Sequence, residues 1–269
     1  MSTFAFLSLV NDRTQFDACQ ASLRTDVHSM PEWLMVEPNK HGWNAAQGLN
    51  HGIERLAADW IVCVHQDVLF PRGFHARLTA ALAALPQDVA VAGIVGCEAS
   101  GRFRGHIVDP NGHCYWPSLP ADVATVDEVL IAVRKSSGLR FCEDVPGFHC
   151  YGADLCFEAR ARGLRVVAID APLLHLSTGK LDASYDKASA WLLAKWGQKH
   201  RFVLPMPTII VQDEKRAGFF RRLAFRWRRR QDRLARNTNV CRDATCAARA
   251  LGETAKQTQG SAPSPRPTS

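Results

Sequence analysis

The stretch WIVCVHQDVLFP, residues 60–71, decides the fold. Its first five residues, Trp60 to Val64, are apolar without alternation, the pattern of a strand buried on both faces. His65, Gln66 and Asp67 follow at once, and Pro71 closes the stretch at a turn. A strand covered on both faces needs helices on either side, which predicts an α/β layer arrangement. In such sheets ligands gather at the carboxyl ends of the strands, where this His-x-Asp falls. Alone, the motif reads either as a metal and phosphate handle or as a solvated strand end.

The flanking segments extend the alternation. FAFLSLV (4–10) predicts a strand ending at Asn11, and apolar residues at 16, 19 and 23 predict a helix. WLMV (33–36) is a second strand, ending at Glu37, and Asn44 is placed to cap a helix carrying Ala45, Leu49, Ile53 and Leu56. Further on come a helix over 74–85, a strand over 89–95, and a hairpin over 107–116 that turns at Asp109-Pro110-Asn111-Gly112. A strand is expected over 126–133, then a helix opened by Asp154 and ended by Gly163, a strand over 164–169, and a helix over 184–199. The expected fold is a mostly parallel mixed sheet flanked by helices. Asn11, Glu37, Asp67 and His175 each follow an apolar strand and are expected on one edge.

Bulk properties narrow the class. The 269 residues are 46% hydrophobic and 22% charged, ordinary for a globular chain, and no apolar run reaches the about 18 residues of a membrane span. The first ten residues lack the basic start of a signal peptide and read as a strand. Nine scattered cysteines without a Cys-x-x-Cys pair point to reduced thiols in a cytoplasmic protein, and away from disulfides or a zinc site. Neither a dinucleotide-binding Gly-x-Gly-x-x-Gly nor a phosphate-binding P-loop is present. The net charge of +7 is carried by the end of the chain: residues 215–236 hold ten basic residues and one acid, leaving about −4 on residues 1–214.

Four segments in order resemble family-2-like glycosyltransferases with the GT-A fold: LSLVN (7–11), NAAQGLN (44–50) leading into ADWIVCVHQD (58–67), EDVPGFHCYGADLCFEARARG (143–163), and the late His175 in LLHLSTG (173–179). The resemblance spans about residues 3–180 and implies transfer of a sugar from a nucleotide-sugar donor to an acceptor hydroxyl. It also implies a divalent cation (Mn or Mg), with inversion at the transferred carbon.

The resemblance gives Asp67 the place of the last acid of a D-x-D motif, a metal contact. Where the family has another Asp this chain has His65, which can bond a ribose or phosphate but supplies no anionic oxygen. His175 completes the metal site by resemblance, or is a satisfied structural histidine. Asp154 matches the base that takes the acceptor proton, although an acid at a helix start also caps free N–H groups. Glu143 and Asp144 are acceptor contacts or ordinary loop residues. Asn11, Glu37 and Asn44 are expected at the nucleotide, each with a turn, strand-end or cap role as the alternative. Thr178 and Lys180 are candidates for phosphate oxygens, and Trp43 packs beside the donor or in the core.

These readings divide the chain into a GT-A-like domain over 1–210, a basic amphipathic helix over 211–236, and a disordered tail rich in Ser, Thr, Ala and Pro over 237–269. Phe220, Leu223 and Trp227 form one face of that helix among arginines, which suits an anionic membrane surface and a lipid-linked acceptor at the inner face of the membrane. A solvated helix docked on the domain is the plainer alternative. Nucleic acid shares the electrostatics but no reader motif accompanies it. A non-catalytic nucleotide- or carbohydrate-binding module is the rival to the enzyme.

Overall fold

The structure, a computed structural model, describes residues 3–110, 112–116, 118–177, 182–207, 211–213 and 215–239, with side chains as far as 232. Thr178, Lys180 and the tail beyond residue 239 lie outside the described residues.

The first half builds β1 (Phe4–Leu9), α1 (Arg13–Arg24), β2 (Trp33–Val36), α2 (Ala45–Arg55), β3 (Trp60–Val64), β4 (Val68–Leu69), α3 (Phe74–Ala83) and β5 (Val89–Gly93). Next come β6 (Val95–Cys97), β7 (Phe103–Asp109), β8 (Gly112–Trp116), β9 (Ala121–Asp122), β10 (Thr125–Val126) and β11 (Leu130–Arg134). The chain continues through α4 (Tyr151–Ala161), β12 (Arg165–Ala168), β13 (Leu174–His175), α5 (Ala183–Trp196), β14 (Val203–Leu204), β15 (Val211–Gln212) and α6 (Phe219–Asn239).

The main sheet has the order β2-β1-β3-β11-β5-β12-β9. β3 behaves as its sequence demands. Trp60, Val62 and Val64 enter one core with Phe6 and Phe74, and Ile61 and Cys63 enter the other with Leu7 and Leu49. Strand periodicity sends alternate side chains to opposite faces, so a strand between two cores is apolar throughout.

α2 starts where expected. Asn44 accepts from the Gln47 backbone N–H (2.9 Å) while the Gln47 side chain accepts from the Asn44 N–H (3.0 Å), closing a capping box. Gly52 on this helix lies so close to β1 that a Cβ would overlap the Leu7 side chain. Small residues thus let α2 settle onto the sheet and aim its start at the strand ends.

The sheet is mixed, as expected, and one expected strand proves to be two. β1 pairs in parallel with β2 and β3, and β12 in parallel with β5, but β11 enters antiparallel to both β3 and β5. The single strand expected over 126–133 is divided. Thr125–Val126 (β10) joins a second sheet, ordered β10-β6-β7-β13-β4, whereas Leu130–Arg134 (β11) stays in the first, so 127–129 cross between them.

α6 is seated on the second sheet. Phe225 and Arg229 are buried, the Arg229 guanidinium lies 4.7 Å from the Phe103 ring centroid, and Asp232 accepts from the Phe103 N–H at 2.9 Å.

Candidate active site

An open cleft of about 900 Å³, counting the solvent at its mouth, lies at the carboxyl ends of β1 and β3. Leu9, Val10 and Asn11 line it from the end of β1, Pro38 and Asn39 from the turn after β2, and Cys63 through Asp67 from the end of β3. Glu128, Phe148, Tyr151 and Ser177 complete the walls together with Leu49.

The His-x-Asp motif forms its polar centre. The chain reverses after Asp67 into β4, which pairs antiparallel with β13 in the register His175 to Val68. The Leu176 N–H donates to the Asp67 carbonyl at 2.9 Å. This short pairing carries His175 to within 3.4 Å of the Asp67 carboxylate (Nε2 to Oδ1), and His65 Nδ1 lies 3.8 Å from the same oxygen. The two imidazole rings meet edge to face, 5.6 Å between centroids. Each of the three residues offers one ligand atom, and these atoms lie within 4.8 Å of one another.

Electrostatics favour an ionised acid here. Burial alone would push the Asp67 carboxyl up, but the His175 hydrogen bond and charge, the His65 charge and the Ser177 hydroxyl outweigh it and hold it well below the usual carboxylate range. Burial pulls His175 down, yet the hydrogen bond and charge of Asp67 leave it raised overall. His65 is lowered, because burial exceeds the pull of Asp67. A carboxylate and two imidazoles make a mixed oxygen and nitrogen donor set, which suits Mn²⁺ and other transition ions better than Mg²⁺.

The other expected residues divide. Asn11 lines the cleft and exchanges hydrogen bonds with Gln66: its side-chain oxygen accepts from Gln66 Nε2, and Gln66 Oε1 accepts from the Asn11 and Asp12 N–H groups (2.9 and 3.0 Å). Glu37 is not in the wall. It pairs with Lys40 at 2.7 Å, while the adjacent Pro38 and Asn39 face the cleft. Asn44 is also off the wall, held as a cap and donating through Nδ2 to the carbonyls of Glu143 (2.7 Å) and Val145 (3.1 Å). Glu143 accepts from Asn50 at 2.9 Å, and Trp43 is half-buried against the α2 core.

Asp154 does not open its helix. Cys150 is the N-cap, in a left-handed conformation with φ 63°, and Asp154 lies in the first turn behind it. Its carboxylate is 1% exposed, receives Trp196 Nε1 at 2.6 Å and pairs with Lys195 Nζ at 2.8 Å. It is absent from the cleft wall. The acid that does line the cleft from this side is Glu128, whose Oε1 accepts the Gly152 N–H at 2.9 Å. Sequence reasoning had no signal for it, because 128 falls inside what reads as a continuous strand.

Comparison with known proteins gives this site its context. Residues 10–129 match the family described as glycosyl transferase family 2. A protein of Fuscovulum blasticum named "ATP synthase subunits region ORF 6" is 27% identical over 216 residues, covering 75% of this chain and 85% of that one; its name describes no activity. Among solved structures, the mannosyltransferase PcManGT of Pyrobaculum calidifontis, in complex with GDP-mannose and Mn²⁺, superposes with a TM-score of 0.51 at 12% identity, over 94% of this chain and 80% of that one. GalNAc-T7 with UDP, GalNAc and Mn²⁺ gives 0.53 at 8% identity, over 75% of this chain and 49% of that one. The resemblance to family-2 glycosyltransferases therefore holds, and the fold is of the GT-A type, a mixed sheet flanked by helices.

Proposed function

We propose that this chain is a metal-dependent glycosyltransferase that moves a sugar from a nucleoside-diphosphate donor to an acceptor hydroxyl. The observation that carries the reading is the convergence of His65, Asp67 and His175 at the end of β3, where His65 and Asp67 line the cleft and fall within the segment that matches the family. These three residues would hold a divalent cation, and the cation, when bound, would neutralise the departing diphosphate as a Lewis acid. The donor set makes Mn²⁺ the better fit, and both structural neighbours named above were solved with Mn²⁺.

Around the cluster, Asn11 and Asn39 offer amide groups to the base or ribose, and Glu37 stands beside them at the end of β2. His65, with no negative charge of its own, is suited to a ribose or phosphate oxygen as well as to the metal. Displacement at the anomeric carbon in a single step, with inversion, requires a base for the acceptor hydroxyl but no covalent nucleophile.

The acceptor is proposed to be a sugar or a lipid-linked sugar met at a membrane surface. α6 supports this reading: Phe219, Phe220, Leu223 and Trp227 are 54–82% exposed on a helix rich in arginine. No helix among the described residues is long and apolar enough to cross a membrane, so contact would be peripheral. A cytoplasmic position at the inner face of the membrane is part of this proposal; none of the described cysteines forms a disulfide.

Thermal unfolding tests the function directly. UDP, GDP or dTDP with Mn²⁺ is expected to raise the melting temperature, and Asp67→Asn to abolish the rise. No metal-dependent shift with any of the three nucleotides would overturn the proposal. A shift without turnover of any donor would favour a non-catalytic binding module.

A further inference from the structure

We propose that Glu128 is the general base that takes the proton from the acceptor hydroxyl in this cleft, an assignment that rests on the transferase reading above. Three observations lead to it.

First, the acid that resemblance offers for the role is committed elsewhere. Asp154 is buried, its carboxylate is bonded to Trp196 and Lys195, and it does not reach the cleft. A base must come within hydrogen-bond reach of the proton it removes. To do so Asp154 would have to leave both partners and turn out of its helix.

Second, Glu128 lines the same cleft as Asp67, from the crossover between the two sheets. The neighbouring pairing fixes that position: β11 runs antiparallel to β3 with Leu130 opposite Val64, and the His65 N–H donates to the Val129 carbonyl at 3.1 Å. Glu128 therefore stands level with the end of β3 beside the His-x-Asp motif. Its Oε1 accepts the Gly152 N–H, and among the described residues no hydrogen bond engages its Oε2. One oxygen is anchored, and the residue forms part of the cleft wall.

Third, α4 is shaped around this side chain. A Cβ at residue 152 would stand 2.8 Å from Glu128 Cγ and 2.6 Å from Ile131 Cδ1, so the glycine leaves the room that the glutamate stem occupies. The helix start thus presents a backbone N–H to the carboxylate and no competing side chain.

The environment suits a base more than a fixed charge. The ionisable groups that feel its charge are Asp127, Cys150, Tyr151, Cys156 and Tyr185, all acids. Burial pushes the Glu128 carboxyl up to about 8, with Asp127 adding to the rise and the Gly152 N–H opposing it. A base whose affinity for protons lies near the working pH is the most effective kind.

In the proposed step the acceptor hydroxyl gives its proton to a Glu128 carboxylate oxygen while its electron pair forms the bond to the anomeric carbon. The bond from that carbon to the diphosphate breaks, and its electrons leave with the nucleoside diphosphate.

The test uses the full chain, Mn²⁺ and a panel of UDP-, GDP- and dTDP-sugars, with release of nucleoside diphosphate as the readout. Glu128→Gln, which keeps an acceptor for the Gly152 N–H, is expected to lower kcat about 100-fold or more. Its donor KM and its Mn²⁺-nucleotide melting shift should stay within about 3-fold of wild type, which also reports that the variant is folded. Wild-type kcat should climb with pH toward about 8 and the variant's should not. Glu128→Asp should regain part of the loss. Glu128→Gln retaining kcat within 3-fold, or Asp154→Asn losing turnover with its melting shift intact, would overturn the base assignment alone. No Mn²⁺-dependent shift in wild type would overturn the transferase reading, and binding without turnover of any donor would overturn both.

Discussion

Glu128→Gln makes a second prediction that needs no substrate. The carboxyl ordinarily ionises at 4.5, and in the folded protein it does so at about 8. Below pH 4.5 both folded and unfolded chains hold the proton, and the group leaves stability unchanged. Between 4.5 and 8 the unfolded chain releases the proton while the folded chain keeps it, so stability falls as pH rises and levels off above 8. At about 1.4 kcal/mol for each pH unit, the ceiling is about 5 kcal/mol. Glu128 opens onto a solvated cleft, which screens its charge, so the expected loss is about 2 kcal/mol. Gln cannot ionise but still accepts from the Gly152 N–H. The variant should match wild type near pH 5 and exceed it near pH 9 by about 2 kcal/mol, or about 4–8 °C in melting temperature for a chain of this size. Thermal or urea unfolding of both proteins across pH 5–9 measures the difference, in which all other titrations cancel. A difference that stays constant across this range, or grows in the opposite direction, would refute the argument.

Other perturbations report on the scaffold. Asp154→Asn should cost about 2 kcal/mol in urea unfolding, because the buried carboxylate's charged bond to the solvent-exposed Lys195 is lost while the amide oxygen still accepts from Trp196 Nε1, and the Mn²⁺-nucleotide shift persists. Gly52→Ala should destabilise by about 1–3 kcal/mol, since the added methyl displaces Leu7 and lifts α2 from the sheet. For the membrane reading, full-length protein should co-sediment with vesicles of phosphatidylcholine and phosphatidylglycerol at 3:1. It should release at high salt, and Phe220→Glu/Trp227→Glu should not bind; equal binding by that variant, or to pure phosphatidylcholine, would sink the idea.

The scaffold was legible where the chain signals through periodicity. β3 reads as buried on both faces because it is, and Asn44 reads as a cap because the amide-to-backbone bond is local. The cluster at Asp67 was legible only as an order of residues. What brings His175 to it is a pairing of two-residue strands, β4 with β13, too short to leave a pattern. Asp154 misled because an acid near a helix start looks like a cap, whereas this helix begins at Cys150, a left-handed residue whose side chain makes no cap bond. Glu128 was hidden by apparent continuity: residues 126–133 have the composition of one strand, and only the division between two sheets leaves residue 128 in the wall of the cleft. Both misses concern where backbone segments part company, which depends on packing partners remote in sequence.

The seating of α6 bears on how this protein would meet a surface. Phe225, Arg229 and Asp232 tie the helix into the Phe103 edge of the second sheet, and β13 of that sheet brings His175 to Asp67. The helix is therefore a keel fixed to the same sheet that carries His175. A surface that grips Phe220 and Trp227 sets the tilt of the whole body at once, so the cleft mouth keeps a constant height and bearing above that plane. Acceptors would then be sorted by how far their hydroxyl stands from the surface before any sugar is recognised.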